Sequence, residues 1–94
     1  MKTLSDNEVA DVLKELPQWR LEKGELVRVC EFPDFAGAMV FVNHVAELAE
    51  EANHHPDIDI RYNKIRLGLV SHDAGGLTKR DASMARKISA LFSA

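Results

Sequence analysis

The sequence predicts an α+β fold: a single domain over residues 1–94 in which a four-stranded antiparallel sheet carries three helices packed on one face, in the order α-β-β-α-β-β-α. Three observations predict it. Three stretches repeat apolar residues at helical spacing, and each opens on a good capping residue. Between them lie two pairs of short alternating runs, each pair broken by a turn. The chain has 94 residues, enough for one modest core.

The first helix opens at Ser5, with Glu8 three residues on as a capping box and Leu4 and Val9 as its hydrophobic staple. Val9, Val12, Leu13 and Leu16 make its apolar stripe, and Pro17 forbids continuation. Trp19 and Leu21 alternate with polar residues as a first strand. Lys23-Gly24-Glu25 turns the chain into the β-rich run Leu26–Phe32. The inward face of that run is open on the sequence, because Leu26, Cys30 and Phe32 compete with Val27 and Val29. It is expected at a sheet edge, where an apolar strand invites pairing with another subunit.

Asp34 caps the longest helix, whose stripe is Ala38, Phe41, Val42, Val45, Leu48, Ala49 and Ala52. Asn53 suits the left-handed residue that ends a helix, and Pro56 blocks extension. Ile58, Ile60 and Tyr62, then Ile65, Leu67 and Leu69, alternate as a hairpin with one wet face and a turn near Asn63-Lys64. After the loop Ser71–Gly76, Thr78 caps a third helix, with Asp81 three residues on and Leu77 and Ala82 as staple. Met84, Ala85, Ile88, Leu91 and Phe92 are expected to face the core.

Composition removes several classes of function. A net charge of −3 lacks the clustered Lys and Arg excess of a general nucleic-acid binder. The lone cysteine, Cys30, forms no internal disulfide, sits in an apolar run and reads as packing. The first residues lack the apolar core of a signal peptide, and no run approaches the roughly 20 apolar residues needed to cross a bilayer. The expected location is therefore cytoplasmic, with no membrane partner.

Three of the four histidines fall at element ends. His54 and His55 enter the first strand of the second hairpin, and His72 leaves its second strand. Those two ends of an antiparallel hairpin are neighbours in space, so the three rings are expected to converge. With an ordinary pKa of about 6.5, one imidazole can donate a proton while another accepts one near neutrality. A dehydration needs that pair of transfers: a leaving hydroxyl protonated, a neighbouring proton removed. Against this stands the bland reading of adjacent histidines as helix C-cap residues. A further rival is a three-histidine zinc site with Asp57 or Asp73 adding oxygen, although adjacent side chains diverge and no helical i, i+4 histidine pair exists. Glu50, one turn before His54, can orient a ring or simply be exposed; Asp81 can reach the site or serve only as a cap. Trp19 is either a core anchor or a stacking wall. His44 falls on the polar side of its helix. The glycines of His72–Thr78 have neither Walker nor dinucleotide spacing and suit a tight turn with backbone groups free for a ligand.

Glu50-Glu51-Ala52-Asn53-His54-His55-Pro56-Asp57, then Tyr62-Asn63-Lys64, then Ser71-His72-Asp73-Ala74-Gly75-Gly76-Leu77-Thr78-Lys79-Arg80-Asp81 resembles the pterin-4a-carbinolamine dehydratase family. The similarity spans nearly the whole chain. It implies removal of water from a 4a-hydroxytetrahydropterin formed in aromatic amino-acid hydroxylation, giving a quinonoid dihydropterin for reduction. It implies His54, His55 and His72 as catalytic residues, with Glu50 and Asp81 as supporting acids. It implies pterin contacts from His54, His55, Pro56, Ser71, His72, Asp73 and Ala74, with Trp19 as an aromatic wall. No metal or other cofactor is implied, and a homodimer or homotetramer is expected. Ile58 departs from the family, which often carries an aromatic residue there. Animal relatives also serve as dimerisation cofactors of a transcription factor. The alternative is thus a non-enzymatic cofactor or another pterin-binding protein.

Overall fold

The computed structural model describes residues 2–92. Its elements are α1 (Asp6–Glu15), β1 (Arg20–Glu22), β2 (Glu25–Glu31), α2 (Phe35–Ala52), β3 (Asp57–Arg61), β4 (Lys64–Leu69), a single 3₁₀ turn over His72–Ala74, and α3 (Lys79–Ala90). The sheet is antiparallel throughout, in the order β1-β2-β4-β3. This is the expected α+β architecture. The helix boundaries follow their caps. Ser5 and Glu8 form a reciprocal capping box, Asp34 accepts from the Gly37 amide at 2.8 Å, and Thr78 pairs with Asp81 in a second box.

Alternation divides the sheet into two unlike faces. Leu26 and Cys30 on β2, with Ile65, Leu67 and Leu69 on β4, join Phe41, Val45, Met84, Ala85 and Ile88 in one core beneath the helices. Val29 points to the other face and is 49% exposed, beside Asp59, Arg61, Lys64 and Arg66. The competition within β2 is thus resolved for Leu26 and Cys30. Val27, on the charged face, is nonetheless fully buried. Burial also pushes the Cys30 thiol above its ordinary pKa, which suits packing and not nucleophilicity.

Three expectations are corrected. The Leu26–Phe32 strand is not at an edge: β2 lies between β1 and β4, because both of its backbone faces are taken by neighbours. Its apolar character therefore serves the core and offers no strand for another subunit. Leu91 and Phe92 lie past the end of α3 and are largely exposed, though the Phe92 ring still meets Phe32 and Phe41 at 6.3 and 5.1 Å between centroids. The tight turn of the second hairpin is Tyr62-Asn63, one residue earlier than expected, since Arg61 already faces Lys64. Tyr62 takes the positive φ of 52° there, and Asn63 Nδ2 donates to the Phe32 carbonyl at 2.7 Å, tying the hairpin tip to the end of β2.

The face assignment of β2 has a direct test by chemical denaturation. Leu26→Ala is expected to cost about 3 kcal/mol, in the range for a buried leucine, while Val29→Ala stays within about 0.5 kcal/mol. Equal losses would contradict the assignment.

Candidate active site

The site is assembled by the end of α2 and the open end of the β3–β4 hairpin. Asn53 adopts the left-handed conformation at φ 49°, and the His54 amide returns to the Ala49 carbonyl at 3.1 Å. This closure turns the chain out of the helix axis. Consecutive side chains then part: His54 is buried at 8% exposure and His55 is exposed. Asp57 faces Gly68 across the hairpin, so the residues before β3 and after β4 run alongside one another.

Each of the paired imidazoles ends on a carboxylate. His54 Nε2 lies 2.5 Å from Asp81 Oδ1, in a fully buried contact. His55 Nε2 lies 2.5 Å from Glu50 Oε2, in an exposed one. A carboxylate accepts, so in both rings Nε2 donates and Nδ1 is left for other work. Asp81 is 0% exposed and makes further bonds. Its Oδ2 accepts from Ser71 Oγ at 2.8 Å and from the Thr78 amide at 2.9 Å. One carboxylate therefore holds the end of α2, the segment after β4 and the cap of α3. The cap and site readings of Asp81 describe two oxygens of the same group.

His72 follows Ser71 directly. It opens the 3₁₀ turn that Gly75 closes with φ 79°, and its side chain is exposed. Because Ser71 and His54 share one carboxylate, the loop bearing His72 and the pair His54-His55 occupy the same end of the sheet. The Ser71 carbonyl accepts from the amides of Ala74, Gly75 and Gly76, and the Ser71 amide donates to the Gly76 carbonyl, so the loop is tightly closed. Asp73 is gripped by Arg80 Nη2 at 2.6 Å. That guanidinium holds the Asp73 carboxyl below its ordinary range, with the hydrogen bond as the main cause.

The remaining expected residues have distinct placements. Pro56 and Ala74 are half-buried. Ser71, at 1% exposure, points into the protein and gives a ligand almost no surface. Trp19 is a core residue at 3% exposure, and its Nε1 donates to Ser89 Oγ at 2.9 Å, so neither ring face is open as a wall. Ile58 packs against the core. His44, exposed as expected, lines a groove of about 920 Å³ along α2 that reaches Glu50. Among the described residues no three His, Cys, Asp or Glu side chains come together as a metal-binding group. No helix among them is long and apolar enough to cross a membrane. Two participants escaped the sequence reading: the Thr78 hydroxyl, seen there only as a cap, and Arg80. Ionic contact across a glycine turn has no sequence period that would announce it.

A four-stranded antiparallel sheet carrying three helices is the α+β fold of the pterin dehydratases. The chain belongs to the pterin-4a-carbinolamine dehydratase family: the profile described as "Pterin 4 alpha carbinolamine dehydratase" matches residues 2–91. A protein of Acidobacterium capsulatum named "Putative pterin-4-alpha-carbinolamine dehydratase" is 57% identical over 98% of this chain and 100% of its own length. A namesake from Thermomicrobium roseum is 53% identical over 99% and 100%. Among solved structures, a transcriptional coactivator/pterin dehydratase from Brucella melitensis superposes with a TM-score of 0.92 at 32% identity, covering 96% of this chain and 98% of that one. A pterin dehydratase-like RuBisCO assembly factor of the α-carboxysome shares the fold, with a TM-score of 0.67 at 24% identity over 82% of this chain and 92% of that one.

The Arg80–Asp73 grip predicts a titration. In wild type, Asp73 is expected to titrate below the ordinary carboxylate range, and in Arg80→Gln to return to it, as read from side-chain carboxyl NMR shifts. Since the folded pKa is depressed, the pair's contribution is present above the unfolded value and is lost as pH falls through the folded one. It is therefore intact at neutrality and disappears only in acid. An Asp73 midpoint unmoved by the substitution would remove the grip.

Proposed function

We propose that this protein is a 4a-hydroxytetrahydropterin dehydratase that works by proton transfer between imidazoles. The observation that carries the reading is the pair of adjacent rings, each held through Nε2 by its own carboxylate, beside the loop that presents His72. Family membership supports the substrate class.

The reaction breaks the C4a–O bond and forms a C4a–N double bond. The departing hydroxyl takes a proton from one imidazolium and leaves as water; the neighbouring ring nitrogen gives its proton to a second, neutral imidazole. No electrons are gained or lost, so the net change needs no redox partner. His54, His55 and His72 are the proposed catalytic residues. Glu50 and Asp81 orient the first two rings, and each well-placed acid or base is typically worth about 10²- to 10⁴-fold. Pro56, Asp73 and Ala74 border the flat substrate. Ser71 acts from behind through Asp81, and Trp19 through the core. The activity would serve tetrahydropterin recycling in the cytoplasm, in a homo-oligomer that does not pair through the edges of β2.

The test is a carbinolamine dehydration assay on purified protein. His55→Ala and His72→Ala are each expected to lower turnover about 10²-fold; as exposed positions they should shift stability by no more than about 0.5 kcal/mol. Wild-type rates in both would defeat the reading. Activity should survive chelator; its loss would restore the zinc hypothesis. A protein acting only as a partner-binding cofactor would neither turn over the carbinolamine nor melt at a higher temperature with pterin.

A further inference from the structure

The hydrogens around Asp81 can be placed one by one. Oδ2 receives the Thr78 amide hydrogen at 2.9 Å and the Ser71 hydroxyl hydrogen at 2.8 Å. A serine has one hydroxyl hydrogen, and Ser71 has spent its own on Asp81. In the 2.8 Å contact between Ser71 Oγ and Thr78 Oγ1, the hydrogen must therefore come from Thr78. Thr78 Oγ1 in turn accepts from the Arg80 amide at 3.2 Å. The order runs one way: Arg80 amide to Thr78 hydroxyl, to Ser71 hydroxyl, to Asp81 Oδ2. Ser71, Thr78 and Asp81 are all at least 99% buried, so water does not compete. Such a chain strengthens itself as each bond polarises the next.

We propose that Ser71 and Thr78 are positioning residues, whose hydroxyls form a one-way relay that keeps Asp81 an acceptor toward His54. Hydrogens donated into Oδ2 stabilise the charge that the two carboxylate oxygens share, so Oδ1 accepts from His54 Nε2 in place of donating to it. The relay thereby pins the neutral His54 ring in the tautomer with hydrogen on Nε2 and the open lone pair on Nδ1. Without Ser71's hydrogen, the buried Oδ2 keeps only the Thr78 amide, and the alternative becomes accessible: a proton on Asp81 donated to Nε2, with the ring hydrogen on Nδ1. That arrangement removes the lone pair from the atom facing away from Asp81. The catalytic consequence rests on the dehydratase reading; the tautomer itself does not.

The experiment is a long-range ¹⁵N–¹H correlation spectrum of the histidine rings in the free protein, taken where His54 is neutral, paired with the dehydration assay. Wild type is expected to show His54 with a protonated Nε2 and an unprotonated Nδ1. Ser71→Ala should lose this single pattern and show a second tautomer, with kcat lower by about 10-fold and KM within about 2-fold, a partial loss of one acid–base group. Thr78→Ser keeps the hydroxyl and the cap, and should keep the wild-type pattern, whereas Thr78→Val should not. The relay is overturned if wild-type His54 carries its hydrogen on Nδ1, which requires no variant to fold. It is equally overturned if Ser71→Ala and Thr78→Val both retain the wild-type pattern. Altered tautomers in a protein with no dehydratase activity would uphold the relay and remove only the functional reading. Unchanged tautomers in an active enzyme would do the reverse.

Discussion

The carboxylate of Asp81 is where the end of α2, the end of β4 and the start of α3 are joined, and most of the site geometry follows from its burial. A fully enclosed carboxylate must have its lone pairs satisfied. Here they are met by a ring, a hydroxyl and a backbone amide from three different stretches of chain. The position favours a negative group for a second reason. Asp81 lies in the first turn of α3, where free amides and the helix dipole supply positive potential. The same group that begins the last helix therefore fixes the depth and rotation of His54. Loss of the site and loss of the cap are one event at this residue.

The hairpin supplies what Asp81 cannot. The register of β3 against β4 sets which residues emerge together at its open end, and the core side chains Ile65, Leu67 and Leu69 hold that register because a slip by one would turn them onto the charged face. The left-handed Asn53 then sends His54 inward and His55 outward. Two neighbouring residues thus enter unlike environments. Chain topology brings the paired imidazoles to this end of the sheet.

The parts legible in the sequence are those governed by local rules. Ser5–Glu8, Asp34 and Thr78–Asp81 announced their helices because capping needs particular oxygen atoms at fixed spacing. Asn53 followed from the same logic. That the segment after β4 lies beside the end of α2, with Ser71 and His54 on one carboxylate, was readable from hairpin topology. What escaped depended on facts with no period. The edge position expected for Leu26–Phe32 failed because strand order is set by the crossover through α2, which joins β2 to the strand beyond its neighbour. Leu91 and Phe92 continued the stripe in sequence, but the helix stops at Ala90 and leaves them at the surface. Trp19 had two readings of equal chemistry, and only the hydrogen-bond partner on α3 distinguishes them.

The two imidazole–carboxylate pairs share a separation of 2.5 Å and little else. Glu50 and His55 are both exposed, so solvent screens their attraction and such a pair adds about 0–1 kcal/mol to folding. Asp81 and His54 are enclosed, and removing one partner there leaves an uncompensated polar group at a cost of roughly 3–5 kcal/mol. Substitution of the exposed ring therefore carries little risk to the fold, while the inner ring is bound to structural integrity. The His55 ring is open to water. An enclosed His54, held through Nε2, presents a constant direction to whatever meets its other nitrogen. Solvent access and a fixed ring make opposite demands on burial, and the reversal at Asn53 lets adjacent residues meet one each.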